Sequence, residues 1–176
     1  MEIRAGVLTV SDKGARGERR DTSGPAIEEM LGRIGARAVR YEVVPDEVDE
    51  IAARLRAWAD DDALDLVLTT GGTGLGPRDV TPEATLSVIE RQVPGIAEAM
   101  RLEGLKHTPM AMLSRALAGI RRRTLIVNLP GSEKGVRENL APILPALAHA
   151  VEGLRGEAGD HRAAGAAIEK MPAEGP

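Results

Sequence analysis

The residues best suited to chemistry begin with Gly71-Gly72-Thr73-Gly74-Leu75-Gly76, which follows directly on the apolar run from Asp65 to Thr70. Four of these six residues lack a Cβ, so successive backbone N–H groups can approach a ligand closely and form a nest for an anion, phosphate above all. Two better-known glycine loops are excluded by inspection. A Walker A loop needs Lys and then Ser or Thr after its last glycine, whereas Gly76 is followed by Pro77 and Arg78. The dinucleotide fingerprint needs glycine where Pro77 stands and normally follows the first strand. Taken alone, the glycines also fit a long turn from strand to helix.

Asp46 and Asp79 are the second feature. Each lies just after a β-rich run, and a parallel sheet would carry both to one crevice beyond the carboxyl ends of its strands. Two carboxylates there can hold a hydrated magnesium ion against phosphate oxygens. Each has an ordinary alternative: Asp46 can cap the helix that follows it, and Asp79 can close an Asx-turn ahead of Thr81-Pro82. Ser11 and Asp12 end the first strand and could meet the same ligand. Ser132, after Pro130-Gly131, opens the last helix with a hydroxyl and free N–H groups, either as a plain N-cap or as a second anion site. Arg78, Ser114 and Arg115 are lesser candidates for an anionic ligand. His107, His149 and His161 have no metal-like spacing. The absence of cysteine removes disulfides, thiolate nucleophiles and Cys-based zinc, and no Gly-x-Ser-x-Gly elbow offers a hydrolase serine.

The elements that must position these residues can be read from periodicity. Ile3 to Val10 is a first strand. Ile27, Met30, Leu31 and Ile34 share a helical face behind the capping run Asp21-Thr22-Ser23-Gly24-Pro25, and Gly35 ends that helix. Val39, Tyr41 and Val43 alternate with Arg40 and Glu42 in a second strand with one wet face. Val48, Ile51, Ala52, Leu55, Trp58 and Ala59 form the stripe of a second helix, and Asp65 to Thr70 is the third strand. Strand alternating with helix is the pattern of an α/β fold with a parallel sheet and helices on both faces. Farther on, the pattern predicts a helix from Thr81 to about Gln92, another from Pro94, a helical segment from Pro109 to Leu117 and a buried strand from Thr124 to Leu129. A last helix after Ser132 should be kinked or split by Pro142 and Pro145. Residues 1–156 read as one domain, and 157–176, rich in Ala, Gly, Glu and Pro, as a mobile C-terminal tail.

Composition sets the broad class. The chain has 176 residues, 43% of them hydrophobic, a formal charge of −4, and Tyr41 and Trp58 as its only aromatics. With neither a basic excess nor an aromatic platform, a nucleic-acid partner is not expected. No apolar run is long enough to span a bilayer, and Met1 leads straight into the first strand, so a cytoplasmic protein with no membrane contact is expected.

Thr69-Thr70-Gly71-Gly72-Thr73-Gly74 followed by Pro77-Arg78-Asp79-Val80-Thr81-Pro82-Glu83-Ala84-Thr85 closely resembles the signature of the MogA/MoaB-type molybdopterin adenylyltransferases. The resemblance extends to Leu8-Thr9-Val10-Ser11-Asp12, Val44-Pro45-Asp46-Glu47, Pro94-Gly95 with Met100-Arg101, Met112-Leu113-Ser114-Arg115 with Gly119-Ile120-Arg121, and Asn128-Leu129-Pro130-Gly131-Ser132. It covers residues 3 to about 150, and the continuation Arg78 to Pro82 favours the adenylyltransferase branch over related folds with other glycine loops. It implies a three-layer αβα sandwich with a mostly parallel central sheet, a homotrimer, and transfer of AMP from ATP to the phosphate of molybdopterin. It further implies Mg2+ with ATP, with Asp46 and Asp79 as catalytic residues and metal ligands. Gly71, Gly72, Thr73, Gly74, Ser11 and Asp12 then serve the nucleotide phosphates; Ser132, Gly131, Ser114, Arg78 and Arg115 serve molybdopterin. A transient contact with the molybdenum-insertion enzyme is also expected. Two rivals share the fold: a non-catalytic pterin-binding scaffold, and a hydrolase that cleaves pyrophosphate or amide bonds.

Overall fold

The structure, a computed structural model, describes residues 2–156. The expected C-terminal tail, 157–176, and with it His161, lie outside the described residues. The first half of the chain alternates as its periodicity predicts: β1 (Ile3–Val10), the short α1 (Asp12–Ala15), α2 (Ser23–Leu31), β2 (Ala36–Val44), α3 (Val48–Asp60) and β3 (Leu66–Thr70). A turn of 3-10 helix extends α2 to Gly35, whose φ of 67° reverses the chain in the left-handed region that glycine tolerates. The second half holds α4 (Thr81–Leu86), β4 (Arg91–Gln92), α5 (Pro94–Leu105), β5 (Ala118–Arg121), β6 (Thr124–Leu129) and α6 (Glu133–Arg155).

The sheet order is β2-β1-β3-β6-β5-β4. The first four strands are parallel, while at the far edge β5 pairs antiparallel with β6 and β4 antiparallel with β5. Helices cover both faces, giving the expected three layers. On one face Ile27, Met30 and Leu31 of α2, Ala97 and Met100 of α5, and Leu140, Ile143, Leu144 and Leu147 of α6 pack against Val7, Leu68 and Val127. On the other, Ile51, Leu55 and Trp58 of α3 and Ala84 of α4 meet Leu8, Val67 and Ile126. β3 and β6 are buried along their whole lengths, as the two central strands of a covered sheet must be.

Three expectations change. The helix from Thr81 ends at Leu86, and Arg91–Gln92 pairs with Gly119 and Ile120 as an edge strand too short to leave a period-2 signal. The segment from Pro109 is 3-10 helix only to Leu113; beyond it the chain extends into β5, where hydrogen bonds to β6 outweigh local helical preference. Finally, α6 continues through both prolines. Pro142 and Pro145 lie on its exposed face, where the carbonyls they leave unbonded can be hydrated, while the buried stripe keeps its period.

Candidate active site

Strand register brings the candidate residues to one edge of the sheet. Val10 is level with Val44, Thr9 with Thr70, and Thr70 with Leu129. The segments that leave the four parallel strands, Ser11-Asp12, Pro45-Asp46, Gly71-Gly72 and Pro130-Gly131-Ser132, therefore emerge side by side. The Gly71 N–H donates to Leu129 O at 3.1 Å and the Thr70 hydroxyl to Pro130 O at 2.7 Å, tying the glycine loop to the approach to α6.

Asp12 and Asp46, two residues beyond the paired Val10 and Val44, clasp each other through their backbones. The Asp12 N–H donates to Asp46 Oδ2 at 2.8 Å, and the Asp46 N–H donates to Asp12 Oδ1 at 3.0 Å. Arg78 donates to both Asp12 oxygens, at 2.9 and 3.1 Å, and to Glu47 at 2.8 Å. The guanidinium and the Asp46 N–H hold the Asp12 carboxyl below the usual carboxylate range. Burial pushes the Asp46 carboxyl up, the neighbouring Asp12 and Asp79 charges add to this, and the Asp12 N–H and Arg78 oppose it. Asp46 is not the cap of α3: Glu47 occupies that position. Ser11 caps α1 by accepting from the Gly14 N–H at 3.0 Å.

Gly71 has φ 101° and Gly72 φ 64°, both in the region that disfavours side chains. A Cβ on Gly72 would stand 2.3 Å from Thr81 Oγ1 and 3.2 Å from Asp46 Oδ1, which measures how closely Asp46 approaches the loop. The loop is closed from beneath by Thr81, whose buried hydroxyl donates to Gly71 O and whose N–H donates to Gly72 O. Asp79 closes its far end by accepting from the Gly76 N–H at 2.8 Å through Oδ2. Asp79 does not close the Asx-turn ahead of Thr81, whose N–H goes to Gly72 O instead, and its Oδ1 has no donor among the described residues. Arg115 spans the same segment. Its Nε donates to Gly74 O at 2.7 Å, its two other nitrogens reach Asp79 O and the Glu83 carboxylate, and its own N–H donates to Thr73 O. The guanidinium is turned onto the loop.

Two cavities flank the loop. The first, about 310 Å³, is lined by Ser11, Asp46, Gly71, Gly72, Gly131 and Ser132, together with Arg19, Arg20, Asp21 and Ser23. The second, about 400 Å³, is lined by Thr73, Gly74, Ser114, Pro130 and Ser132, with Thr108, Met110, Ala111, Leu113, Lys134 and Asn139. Ser132 borders both and caps α6, its Oγ accepting from the Gly135 N–H at 3.0 Å. Arg78 and Arg115 line neither. Asp21, read in the sequence only as part of a capping run, accepts from the Ser23 and Gly24 N–H groups and from the Thr9 and Tyr41 hydroxyls. Burial pushes its carboxyl up, but those four donors outweigh burial and hold it low; burial and the Asp21 charge raise the Tyr41 phenol to about 12. The polar residues of the second cavity on α6 were missed because Lys134 and Asn139 look like any solvated helix face until the tertiary structure sets them over the loop.

The donor set fits a magnesium ion that arrives with a polyphosphate. No cluster of three acidic or imidazole side chains suited to a metal exists among the described residues. Magnesium in such sites keeps several waters and takes one or two carboxylates plus phosphate oxygens. Asp46 Oδ1 and Asp79 Oδ1 have no protein donor among the described residues; Asp46 lines the first cavity and offers one such carboxylate there, whereas Asp79 lines neither cavity.

A family profile described as "Probable molybdopterin binding domain" matches residues 6–149. The chain belongs to that family. It is 45% identical over 152 residues to the molybdopterin adenylyltransferase of Helicobacter pylori strain J99, an alignment covering 85% of this chain and 86% of that protein. It is 48% identical over 150 residues to the Drosophila melanogaster molybdenum cofactor synthesis protein cinnamon, of whose length it spans only 25%. Among solved structures, the molybdopterin biosynthesis enzyme MoaB of Thermus thermophilus shares 58% identity at a TM-score of 0.84, covering 88% of this chain and 97% of that one.

Proposed function

We propose that this chain is a molybdopterin adenylyltransferase of molybdenum cofactor biosynthesis, joining the AMP of ATP to the phosphate of molybdopterin with release of pyrophosphate. One observation carries the reading: the glycine loop is a shared wall, with Gly71 and Gly72 facing the cavity that holds Asp46, Thr73 and Gly74 facing the other, and Ser132 bordering both. Two phosphate-bearing substrates can meet across such a wall. Bacterial relatives that align over most of their length carry the name of this activity.

ATP phosphates lie along the first cavity. Molybdopterin enters the second, where Met110, Leu113 and Pro130 offer an apolar surface for a flat heterocycle and Thr108, Ser114 and Asn139 offer polar contacts. An oxygen of the pterin's phosphate attacks the α-phosphorus, the bond from that phosphorus to the oxygen bridging to the β-phosphate breaks, and pyrophosphate leaves. The attacking oxygen is already anionic, so no general base is required and alignment with charge stabilisation carries catalysis. Asp46 and Asp79 would hold magnesium, which supplies neutralisation of the charge on the phosphoryl oxygens. Backbone N–H groups of the loop and of the α6 N-terminus receive phosphate. Arg78 and Asp12 fix Asp46, and Arg115 fixes Gly74 and Asp79, so these three act on the site through their neighbours.

The functional unit is a homotrimer in the cytoplasm, and its product passes to the molybdenum-insertion enzyme. Support for the assembly is an exposed apolar surface on α5 and the following turn, formed by Leu102, Leu105, Met110, Met112 and Leu113. The deciding test of activity is incubation with ATP, magnesium and molybdopterin, followed by identification of products. Adenylylated molybdopterin with pyrophosphate is expected. Free AMP alone would replace the reading with a hydrolase, and tight pterin binding without conversion would replace it with a scaffold.

A further inference from the structure

Among the described residues, Arg19, Arg20 and Arg91 are the arginines whose side chains have neither a hydrogen bond nor an ion pair; the others are tied to carboxylates or carbonyls. Two of these three, Arg19 and Arg20, line the first cavity and are the only cationic residues among the described ones that do. The neighbouring carboxylate does not take them up: Asp21 spends its oxygens on Ser23, Gly24, Thr9 and Tyr41. Nor does Arg78 serve the cavity, being bound to Asp12 and Glu47. A polyphosphate entering here meets the Asp46 and Asp21 charges, and among the described residues that line the cavity Arg19 and Arg20 are the cations left to offset them.

Position decides which phosphates they receive. In an in-line displacement the attacking and leaving oxygens lie on opposite sides of the phosphorus. The second cavity, from which the pterin's phosphate attacks, shares the glycine loop and Ser132 with the first. Arg20 instead continues from the first cavity into a depression formed with Thr22, Pro25, Glu29 and Arg137, and neither Arg19 nor Arg20 touches the second cavity. We propose that Arg19 and Arg20 form the receptor for the β- and γ-phosphates of ATP, holding the pyrophosphate as it departs; the assignment rests on the adenylyl-transfer reading above. Guanidinium groups match phosphate in shape and in donor geometry, and these two are exposed, so engaging a ligand costs them no existing partner.

The test is a double variant, Arg19→Gln with Arg20→Gln, titrated calorimetrically with magnesium ATP, magnesium AMP, magnesium tripolyphosphate and molybdopterin, with thermal melts as a control on folding. The expected result is a loss of roughly tenfold or more in affinity for ATP and tripolyphosphate, AMP within about twofold of the parent and pterin binding unchanged, because charge-assisted contacts are removed only beyond the α-phosphate. ATP affinity should also depend less steeply on salt in the variant. Equal losses for AMP and ATP, a loss confined to molybdopterin, parental affinity throughout, or a parent that does not bind tripolyphosphate would each overturn the assignment. A parent that binds tripolyphosphate through these arginines yet transfers no AMP would instead refute the adenylyl-transfer reading while leaving the phosphate receptor standing.

Discussion

Arg115→Met is expected to loosen the catalytic loop without dismantling the fold. The parent guanidinium donates to Gly74 O at 2.7 Å, to Asp79 O and to Glu83, and its side chain is 34% exposed. Hydrogen bonds from a charged donor are worth about 1.5–3 kcal/mol each. Gly74 and Asp79 are only half-buried, so water can replace part of what is lost, and the solvent-screened pair with Glu83 adds no more than about 0.5 kcal/mol. Methionine keeps the apolar stem of the side chain. The net loss is therefore about 2–3 kcal/mol, carried by the loop that presents Gly74 and Asp79. If all of it falls on the ordered state of that loop, single-turnover AMP transfer drops by roughly 30- to 150-fold, since about 1.4 kcal/mol is a factor of ten. Arg115→Lys keeps the charge but cannot span three acceptors and should recover only part of the rate. Urea denaturation and rapid-quench measurement of adenylylated product read the two quantities. A methionine variant within about 0.5 kcal/mol of the parent in stability, or transferring at the parental rate, would refute the reasoning.

Four further outcomes follow from the same geometry. Gly72→Ala, forced to keep φ 64° with its Cβ against Thr81 Oγ1, should lose both melting temperature and ATP affinity; Gly74→Ala meets only the end of the Asp79 side chain, at 2.9 Å, and should keep the parental melt while losing transfer. Asp46→Asn and Asp79→Asn should each lower transfer on the order of 100-fold with stability within about 1 kcal/mol of the parent, and parental single-turnover rates in a folded variant would remove that aspartate from the mechanism. Burial pushes Asp65 up, but Arg155 and the Arg4 N–H outweigh it and hold the carboxyl below its ordinary 3.8, so its contribution to stability is present above that pH and lost as pH falls through the folded-state value. Acid titration of Asp65→Asn should accordingly show a flatter acid limb than the parent. Sedimentation should give a trimer at micromolar concentration, and Met110→Glu with Leu113→Glu should shift it toward monomer; a parent that sediments as a monomer would count against the assembly.

The first three strands and the helices between them were legible because each carries its period over enough residues and ends at a recognisable turn: Gly35, Pro45-Asp46, or the glycine loop itself. The residues at the carboxyl ends of those strands came with them, since in a parallel sheet register follows from the strands. The second half was harder to read for physical reasons. A two-residue edge strand at Arg91–Gln92 has no period to detect, and the turn from Pro109 begins helically before sheet pairing takes over at Ala118. Pro142 and Pro145 give the same local signal whether or not a long buried stripe carries the helix past them. Arg19 and Arg20 were passed over because an Arg/Gly/Glu stretch reads as solvent-exposed surface, which these residues also are.

Side-chain partners, which no spacing reveals, divide the acidic residues of the site. Asp12, Asp46 and Asp79 all sit at the same end of the sheet, and by sequence any of them serves equally well as a phosphate or metal contact. Both Asp12 oxygens are occupied, by Arg78 and by the Asp46 N–H, and its N–H in turn fixes Asp46 Oδ2. Asp12 is thereby spent on holding its neighbour. Asp46 and Asp79 follow a common plan: one oxygen accepts a backbone N–H that sets the orientation of the carboxylate, and the other oxygen is left without a protein donor among the described residues. A carboxylate anchored at one oxygen has lost most of its rotational freedom before any ligand arrives, which lowers the entropy cost of binding a hydrated cation. On this division, Asp12→Asn, which weakens the Arg78 clasp but removes no ligand oxygen, should reduce transfer far less than Asp46→Asn. Comparable losses in the two variants would mean that Asp12 meets the substrate itself.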